Sequence, residues 1–211
     1  MITLPEKGLY AITDCEHLDT DILIRKSEEI LDAGAVMLQY RNKSDDYELK
    51  QIQAELLQKL CDKYHVPFII NDDIELARKL GADGVHLGVD DTGCKKARII
   101  LGPDSIIGIS CYNDLDRAII IKNAGASYIA FGAFFPSQTK VNTVKADLKL
   151  IKIAKEKLNL PIVAIGGITT ENGNSLIQAG ADFLAVISGI YNPENTASIT
   201  RDYVKLFNHE R

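Results

Sequence analysis

The segment Ala179-Gly180-Ala181-Asp182 stands directly before an apolar run at residues 183–188. Three similar segments precede other apolar runs, and this repetition indicates the fold. These are Ala33-Gly34-Ala35-Val36, Gly81-Ala82-Asp83-Gly84 and Ala124-Gly125-Ala126. Each glycine is suited to end a helix, because glycine accepts the left-handed backbone found after a last helical turn. The glycines are 47, 44 and 55 residues apart, about the length of two strand-and-helix units. Four double units predict eight strands and eight following helices.

Eight short apolar runs rich in β-branched residues supply the predicted strands, at residues 9–13, 36–41, 68–71, 85–87, 106–110, 128–131, 162–165 and 183–188. Nearly all of their residues are apolar, which is typical of parallel strands covered on both faces. The clearest helical patterns lie between them at residues 45–64 and 147–158. Right-handed connections close such strands into a (β/α)8 TIM barrel, with a doubly wound open sheet as the alternative.

The size and composition favour one barrel domain over residues 1–211, because single α/β barrels commonly reach roughly 200 to 250 residues. Apolar residues make up 46% and charged residues 25%, which excludes disorder for most of the chain. The 24 basic and 29 acidic side chains give a net charge of −5. No global positive field therefore draws the chain to nucleic acid, and any anion site must be local.

Cysteine spacing and hydropathy predict the compartment. The four cysteines match neither a C-x-x-C redox motif nor paired zinc-ligand spacing, which fits reduced thiols. The first residues show no apolar signal core, and no stretch approaches the roughly 18 apolar residues of a membrane span. We expect a cytoplasmic protein with no membrane partner.

Polar residues follow the predicted strands, at the barrel end where chemistry is expected. After strand 2, Arg41 and Lys43 suit a phosphorylated ligand, because arginine grips phosphate oxygens with two bonds and lysine adds a mobile charge. The alternative is a solvated basic turn. In strand 2 itself, Gln39 is expected on the same side of the sheet as Arg41.

Two aspartates at the ends of neighbouring strands predict a metal site. Asp72 and Asp91 follow strands 3 and 4, and adjacent strands lie about 4.8 Å apart, so both carboxylates can reach one ion. Two carboxylates with ligand phosphates and waters describe a Mg²⁺ site. The alternative is that Asp72 or Asp73 caps the next helix and that Asp90 or Asp91 closes a turn.

Glycines after strands 7 and 8 predict phosphate binding. Gly166-Gly167 and Ile187-Ser188-Gly189 stand where such barrels often hold phosphate through backbone N–H groups. A tight turn is the alternative, since such turns also use paired glycines. Lys140 follows strand 6 in a hydroxyl-rich loop that could close over an anion, although an exposed lysine is an equally ordinary reading.

Six motifs in order resemble the thiamine-phosphate synthase family across nearly the whole chain. They are Gly8-Leu-Tyr-Ala-Ile-Thr-Asp14, Gln39-Tyr-Arg-Asn-Lys43, Ile70-Asn71-Asp72, Gly81-Ala-Asp-Gly-Val-His-Leu-Gly88, Phe134-Phe-Pro-Ser-Gln-Thr-Lys140 and Ala164-Ile-Gly-Gly-Ile168. The resemblance implies a Mg²⁺-dependent transferase with a diphosphate leaving group. It joins a hydroxymethylpyrimidine diphosphate to a thiazole phosphate, plain or carboxylated, and releases pyrophosphate.

The resemblance also implies roles for particular residues. The pyrimidine diphosphate is expected on Gln39, Tyr40, Arg41, Asn42, Lys43, Asn71, Ser110 and Lys140. The thiazole phosphate is expected on Ser137, Gln138, Thr139, Gly167, Ile187 and Ser188, and the metal on Asp72 and Asp91. In the implied mechanism the pyrimidine methylene loses pyrophosphate, and the thiazole nitrogen captures the carbocation. Catalysis then rests on charge neutralisation by Mg²⁺, Arg41, Lys43 and Lys140.

Three positions depart from the family pattern. Val89 stands where glutamine is usual, Ala133 where proline is usual, and Ser137 where threonine is more frequent. Ser137 keeps a hydroxyl, whereas Val89 removes an amide near the metal loop and puts the geometry around Asp91 in question.

Two other functions remain as alternatives. A thiazole tautomerase of the same superfamily is expected to use a histidine near the end of strand 6, where this chain has Ala133. A non-catalytic protein that binds thiamine precursors would not require Asp72, Asp91 and Lys140. Partners are expected to be the two small-molecule substrates, with self-association left open. His86 is interpreted as a packed or hydrogen-bonded strand residue.

Overall fold

A computed structural model describes residues 3–88, 91–136 and 146–208, without the side chains of residues 91 and 92. Its strands are β1 Gly8–Ile12, β2 Met37–Tyr40, β3 Phe68–Asn71, β4 Gly84–Leu87, β5 Ile106–Tyr112, β6 Tyr128–Phe131, β7 Ile162–Ile165 and β8 Phe183–Val186. Its helices are α1 Thr20–Asp32, α2 Tyr47–Tyr64, α3 Ile74–Leu80, α4 Asp91–Leu101, α5 Leu115–Asn123, α6 Leu148–Leu158, α7 Gly173–Gln178, α8 Ser188–Tyr191 and α9 Thr196–Lys205, followed by a 3-10 turn at Leu206–Asn208.

The strands are parallel, and each pairs with the next in chain order. Pairing of Gly8 in β1 with Phe183 in β8 closes the sheet. The predicted (β/α)8 barrel is therefore confirmed, and closure excludes the open doubly wound sheet.

Side chains alternate between two apolar layers. In β1, Tyr10 and Ile12 join the cluster inside the barrel, whereas Leu9 and Ala11 join the larger cluster between the strands and the helices. The other residues of the inner cluster are Met37, Ile69, Ile106, Tyr128, Ala130, Val163, Phe183 and Ala185. Because both faces of each strand are covered, the strands read in the sequence as continuous apolar runs.

Aspartates begin several of the described helices. Carboxylates of Asp19, Asp46, Asp73, Asp114 and Asp147 accept hydrogen bonds from backbone N–H groups of the first helical turn. Such caps satisfy donors that have no partner within the helix. Asp73, and not Asp72, therefore caps α3, which leaves the carboxylate of Asp72 for another role.

The turns that end helices also follow the prediction. The glycines of the four repeated segments have positive φ angles of 104°, 66°, 95° and 108° at Gly34, Gly81, Gly125 and Gly180. The predicted strand at residues 183–188 is shorter in the structure, because Ser188 already begins α8. Among the described helices, none combines the length and apolar character needed to cross a membrane.

Candidate active site

A cavity of about 370 Å³ opens at the carboxyl ends of the strands. Residues predicted from different parts of the sequence line it together, namely Gln39, Arg41, Asn71, Ser110, Gly167, Ile187 and Ser188. The closed barrel brings them together, because the carboxyl ends of all its strands meet at one mouth. The cavity is the candidate active site.

The backbone of Arg41 is fixed to the loop after β1. Arg41 N donates to Thr13 Oγ1 at 2.8 Å, and the Thr13 hydroxyl donates to the Arg41 carbonyl oxygen at 3.2 Å. The guanidinium Nη1 lies 3.5 Å from Glu16 Oε1, and the side chain lines the cavity. A guanidinium held at the rim in this way can bind two phosphate oxygens at once.

Lys43 and Asn71 both bond to the carboxylate of Asp72. Lys43 Nζ donates to Asp72 Oδ2 at 2.6 Å, and Asn71 Nδ2 donates to the same oxygen at 2.8 Å. The φ angle of Asp72 is 63°, a left-handed conformation that is uncommon outside glycine and often accompanies functional sites. The three side chains place a cation, an amide and a carboxylate at one edge of the mouth.

These three side chains line a second cleft, of about 430 Å³, and of the three only Asn71 lines the first cavity as well. Tyr40 and Asn42 lie on this side and not in the barrel mouth. The Tyr40 hydroxyl and Asn42 Nδ2 both donate to Gln53 Oε1, each at 2.9 Å. The bonds tie the loop after β2 to α2, and the predicted contact of Tyr40 and Asn42 with substrate stays a prediction.

The loop after β7 approaches the loop after β6 closely. Gly167 has a φ of 60°, and a Cβ at this position would lie 2.3 Å from the carbonyl oxygen of Pro136. Asn172 Nδ2 donates to the Gly167 carbonyl oxygen at 3.0 Å and holds the loop. Only glycine meets both requirements, so the backbone of this loop is presented to the cavity without a side chain.

At the floor of the cavity lies a hydrogen-bonded row of buried and half-buried side chains. Gln39 Nε2 donates to Tyr10 Oη at 2.7 Å, and Tyr10 Oη lies 2.8 Å from Tyr128 Oη. His86 then contacts Tyr128 Oη through Nδ1 and Ser110 Oγ through Nε2, each at 2.9 Å. The interpretation of His86 as a hydrogen-bonded strand residue is confirmed.

Burial sets the protonation of this row. It lowers the pKa of His86 to about 4, because a buried imidazolium loses its hydration. Desolvation likewise raises the pKa of the Tyr10 and Tyr128 phenols above their ordinary value. The row is therefore uncharged at neutral pH.

Comparison with known proteins places the chain in a family. The family model described as thiamine monophosphate synthase matches residues 9–190. The chain belongs to the thiamine monophosphate synthase family. It is 48% identical to the thiamine-phosphate synthase of Nitrosococcus oceani, over 95% of this chain and 93% of the relative. It is 50% identical to that of Methylobacillus flagellatus, over 97% of both chains.

A solved relative supports the same assignment within the thiamine monophosphate synthase family. The thiamine phosphate pyrophosphorylase from Pyrococcus furiosus has a TM-score of 0.84 and 30% identity, and the match covers 96% of each chain. The family predicted from the sequence motifs is thus confirmed, together with transferase activity as a thiamine-phosphate synthase. The comparisons do not favour the tautomerase or the non-catalytic binding protein.

Several residues that the comparison with the family pattern singles out lie outside the described residues. They are Ser137, Gln138, Thr139 and Lys140, together with Val89 and the side chain of Asp91. Within the described part of the chain, no group of three or more His, Cys, Asp or Glu side chains could hold a metal ion. The roles of these residues remain predictions.

The sequence analysis of this family member missed Tyr10 and Tyr128. Both stand inside apolar runs and read as core residues, but their hydroxyl groups meet at the base of the cavity, which Tyr10 lines. A signal existed, because a buried tyrosine hydroxyl needs a hydrogen-bond partner. Two inward-facing tyrosines in a largely apolar barrel interior indicate a polar group between them.

Proposed function

We propose that the cavity binds a hydroxymethylpyrimidine diphosphate and a thiazole phosphate together and joins them into thiamine phosphate, releasing pyrophosphate. The observation that carries this proposal is the convergence of Gln39, Arg41, Asn71 and Ser110, from three strands or strand ends, on one cavity. This convergence occurs in a chain that belongs to the thiamine monophosphate synthase family. Gln39 and Ser110 are proposed to meet the pyrimidine, and Arg41 and Asn71 to meet its diphosphate end.

The diphosphate is proposed to lie at the edge formed by Arg41, Lys43 and Asn71. Arg41 supplies a planar fork for phosphate oxygens, and Lys43 supplies a point charge on a flexible stem. Lys140, outside the described residues, is proposed to add a further positive charge. A diphosphate carries several negative charges, so three cations at its binding site lower the free energy of the leaving group.

The residues at this edge fit Mg²⁺. Asp72 offers a carboxylate next to the proposed diphosphate site, and Mg²⁺ prefers oxygen ligands shared between one or two carboxylates and substrate phosphates. The ammonium of Lys43 lies 2.6 Å from Asp72 Oδ2, so a positive charge is already held beside this carboxylate. Asp72 and Asp91 would hold the ion. When bound, Mg²⁺ supplies positive charge that stabilises the departing pyrophosphate.

The thiazole phosphate is proposed to bind at the opposite side of the mouth. Gly167, Ile187 and Ser188 line that side of the cavity, and Gly167 leaves backbone groups within reach of a ligand. Ser137, Gln138 and Thr139 are proposed to complete this site from outside the described residues. With the two phosphate groups held at opposite sides, the reacting carbon and nitrogen face each other between them.

The proposed reaction needs no nucleophile from the protein. The bond between the pyrimidine methylene carbon and the diphosphate oxygen breaks, and both electrons leave with pyrophosphate. The thiazole nitrogen then donates its lone pair to the methylene cation and forms the new carbon–nitrogen bond. The side chains of the cavity orient the two substrates and neutralise the leaving group, and orientation alone is a large source of rate enhancement.

The proposal also covers partners and location. The expected partners are the two substrates, and a homo-oligomer is compatible with them. Cys15, Cys61, Cys94 and Cys111 form no disulfide, which is typical of a reducing compartment, so we retain the cytoplasm as the proposed location.

The test uses the purified protein with both substrates, with Mg²⁺ or with EDTA, and follows thiamine phosphate by chromatography. Product that depends on Mg²⁺ is expected. Product formed equally in EDTA would contradict the metal assignment. A folded protein that forms no product would contradict the proposed reaction, and thiazole isomerisation would then be measured.

A further inference from the structure

The row of side chains on the cavity floor crosses the barrel from β2 to β5. It begins at Gln39 and passes through Tyr10, Tyr128 and His86 to Ser110. Neither the reaction nor the family motifs assign a role to its three central members. Their arrangement has a direction, because each hydroxyl carries one proton and a neutral imidazole carries one ring proton.

The direction follows from the first bond. Gln39 donates its amide N–H to Tyr10 Oη, so the proton of Tyr10 is left to bond Tyr128 Oη. Tyr128 then gives its own proton to Nδ1 of His86. With Nδ1 as the acceptor, the ring proton of His86 lies on Nε2 and is donated to Ser110 Oγ.

The opposite direction leaves a buried proton without a partner. In that arrangement Tyr10 Oη accepts from both Gln39 and Tyr128, and its own proton has no acceptor among the described residues. Tyr10 is 1% exposed although it borders the cavity, so water has little access to replace the missing partner. An unsatisfied buried donor costs about 1–3 kcal/mol, which favours the direction from Gln39 to Ser110.

Gly108 makes this row possible. In the sheet register Gly108 pairs with His86 on one side and with Tyr128 on the other. A Cβ at position 108 would lie 1.9 Å from Tyr128 Cζ and 2.2 Å from its hydroxyl oxygen. Because this Cβ is absent, the rings of His86 and Tyr128 stack with centroids 5.7 Å apart.

We propose that Tyr10, Tyr128 and His86 are positioning residues that fix Ser110 as a hydrogen-bond donor toward an acceptor atom of the bound pyrimidine diphosphate. The Ser110 oxygen already accepts from His86, and its hydroxyl group lines the cavity, so its remaining proton is directed to the ligand. This inference rests on the proposed function for the identity of the ligand. The direction of the row itself is a property of the free protein.

The first test measures that direction without substrate. The full chain is labelled with ¹⁵N in its histidine rings, and the His86 signals are assigned by their loss in His86→Gln. We expect a protonated Nε2 and an unprotonated Nδ1 in the wild-type protein. In Tyr128→Phe, where Nδ1 has lost its donor, we expect a mixture of the two tautomers. A protonated Nδ1 in the wild-type protein would overturn the proposal whether or not the protein forms thiamine phosphate.

The second test measures the consequence for binding. Tyr128→Phe should raise KM for the pyrimidine diphosphate about tenfold and leave KM for the thiazole phosphate unchanged. Tyr191→Phe is the matched control, because it also removes a buried hydroxyl, one that bonds Ser27 at 2.8 Å and does not line the cavity. Equal changes in both KM values, or no change in either, would overturn the proposal.

A third measurement identifies the acceptor atom. Inhibition by inorganic pyrophosphate is compared between the wild-type protein and Tyr128→Phe. Weaker inhibition of the variant supports the proposal with a phosphate oxygen as the acceptor. Unchanged inhibition together with the raised KM supports it with an acceptor on the pyrimidine ring.

Discussion

Lys43 Nζ lies 2.6 Å from Asp72 Oδ2, and this contact joins the residues that follow β2 to those that follow β3 at the barrel mouth. The side chains are 49% and 51% exposed, and exposed pairs of this kind contribute little to the free energy of unfolding. The pair is better explained by what it places together. It holds a cation next to the carboxylate that we assign to Mg²⁺.

Replacement of Asp72 by alanine is predicted to reduce turnover by orders of magnitude. The variant loses a proposed Mg²⁺ ligand, whereas its fold should persist because the carboxylate is half exposed and caps no helix. Turnover is measured across a Mg²⁺ titration, and the free energy of unfolding is measured by urea denaturation. Wild-type turnover in Asp72→Ala would refute the metal assignment.

Asp73 provides the control for this experiment. Its carboxylate accepts from Leu76 N and begins α3, so it has a structural role one residue away. Asp73→Asn keeps a good cap and should leave both stability and Mg²⁺ dependence close to wild type. A similar loss of turnover in Asp72→Ala and Asp73→Asn would indicate that both substitutions disrupt the loop.

Arg41→Lys is predicted to raise KM for the pyrimidine diphosphate roughly ten- to a hundredfold, because lysine keeps the charge and loses the planar fork. The backbone contacts with Thr13 involve no Arg41 side-chain atoms, so the loop should stay in place. Steady-state kinetics with each substrate varied in turn check the prediction. Arg25→Lys, on the exposed face of α1, is the matched control and should show wild-type kinetics. An unchanged KM for the pyrimidine diphosphate in Arg41→Lys would contradict the assignment of Arg41 to the diphosphate site.

Most of the fold could be predicted because its signals are local. The apolar strands and the glycines that end helices recur at nearly regular intervals, and both features follow from contacts within one strand-and-helix unit. The ends of elements were less predictable. Asp46 looks like part of α2 in the sequence, but its side chain accepts from Leu49 N and the helix begins one residue later.

The site could be predicted only in part, because part of it depends on contacts across the barrel. Gln39, Arg41 and Asn71 follow from their position at strand ends. Tyr10 and Tyr128, 118 residues apart, meet only when the sheet closes. No spacing rule in the sequence reveals such a pair, since each residue satisfies the apolar pattern of its own strand.

The thiol of Cys15 is predicted to react slowly in the folded protein. Burial raises its pKa to about 11, so at pH 8 the reactive thiolate is scarcer than in the unfolded chain, where the pKa is about 8.5. The rate of alkylation should keep rising with pH toward 11 in the folded protein and should level off above about pH 9.5 in urea. Peptide mass spectrometry after iodoacetamide treatment gives both rates. Equal rates at pH 8 in the two states would contradict the raised pKa.

Gly167→Ala is predicted to weaken thiazole phosphate binding, and the left-handed backbone strain that it shares with other glycine substitutions does not account for this effect. Its added Cβ would lie 2.3 Å from the Pro136 carbonyl oxygen, so the loop at the mouth must shift. Gly81→Ala is the control, because Gly81 has a similar φ of 66° and no atom within 4 Å of the added Cβ. Both variants should lose about 1 kcal/mol of stability from the left-handed backbone. Only Gly167→Ala should raise KM for the thiazole phosphate, and equal KM values in the two variants would exclude Gly167 from that site.

Gly108→Ala is predicted to impair both stability and pyrimidine binding, and a second substitution should separate the two effects. The new Cβ displaces Tyr128 from Tyr10 and His86. Such overpacking typically lowers the free energy of unfolding by about 1–3 kcal/mol. The double variant Gly108→Ala/Tyr128→Leu removes the clashing ring and should recover part of the lost stability in urea denaturation. Its KM for the pyrimidine diphosphate should remain high, because the hydroxyl between Tyr10 and His86 is still missing. Recovery of KM along with stability would show that Gly108 matters for packing alone.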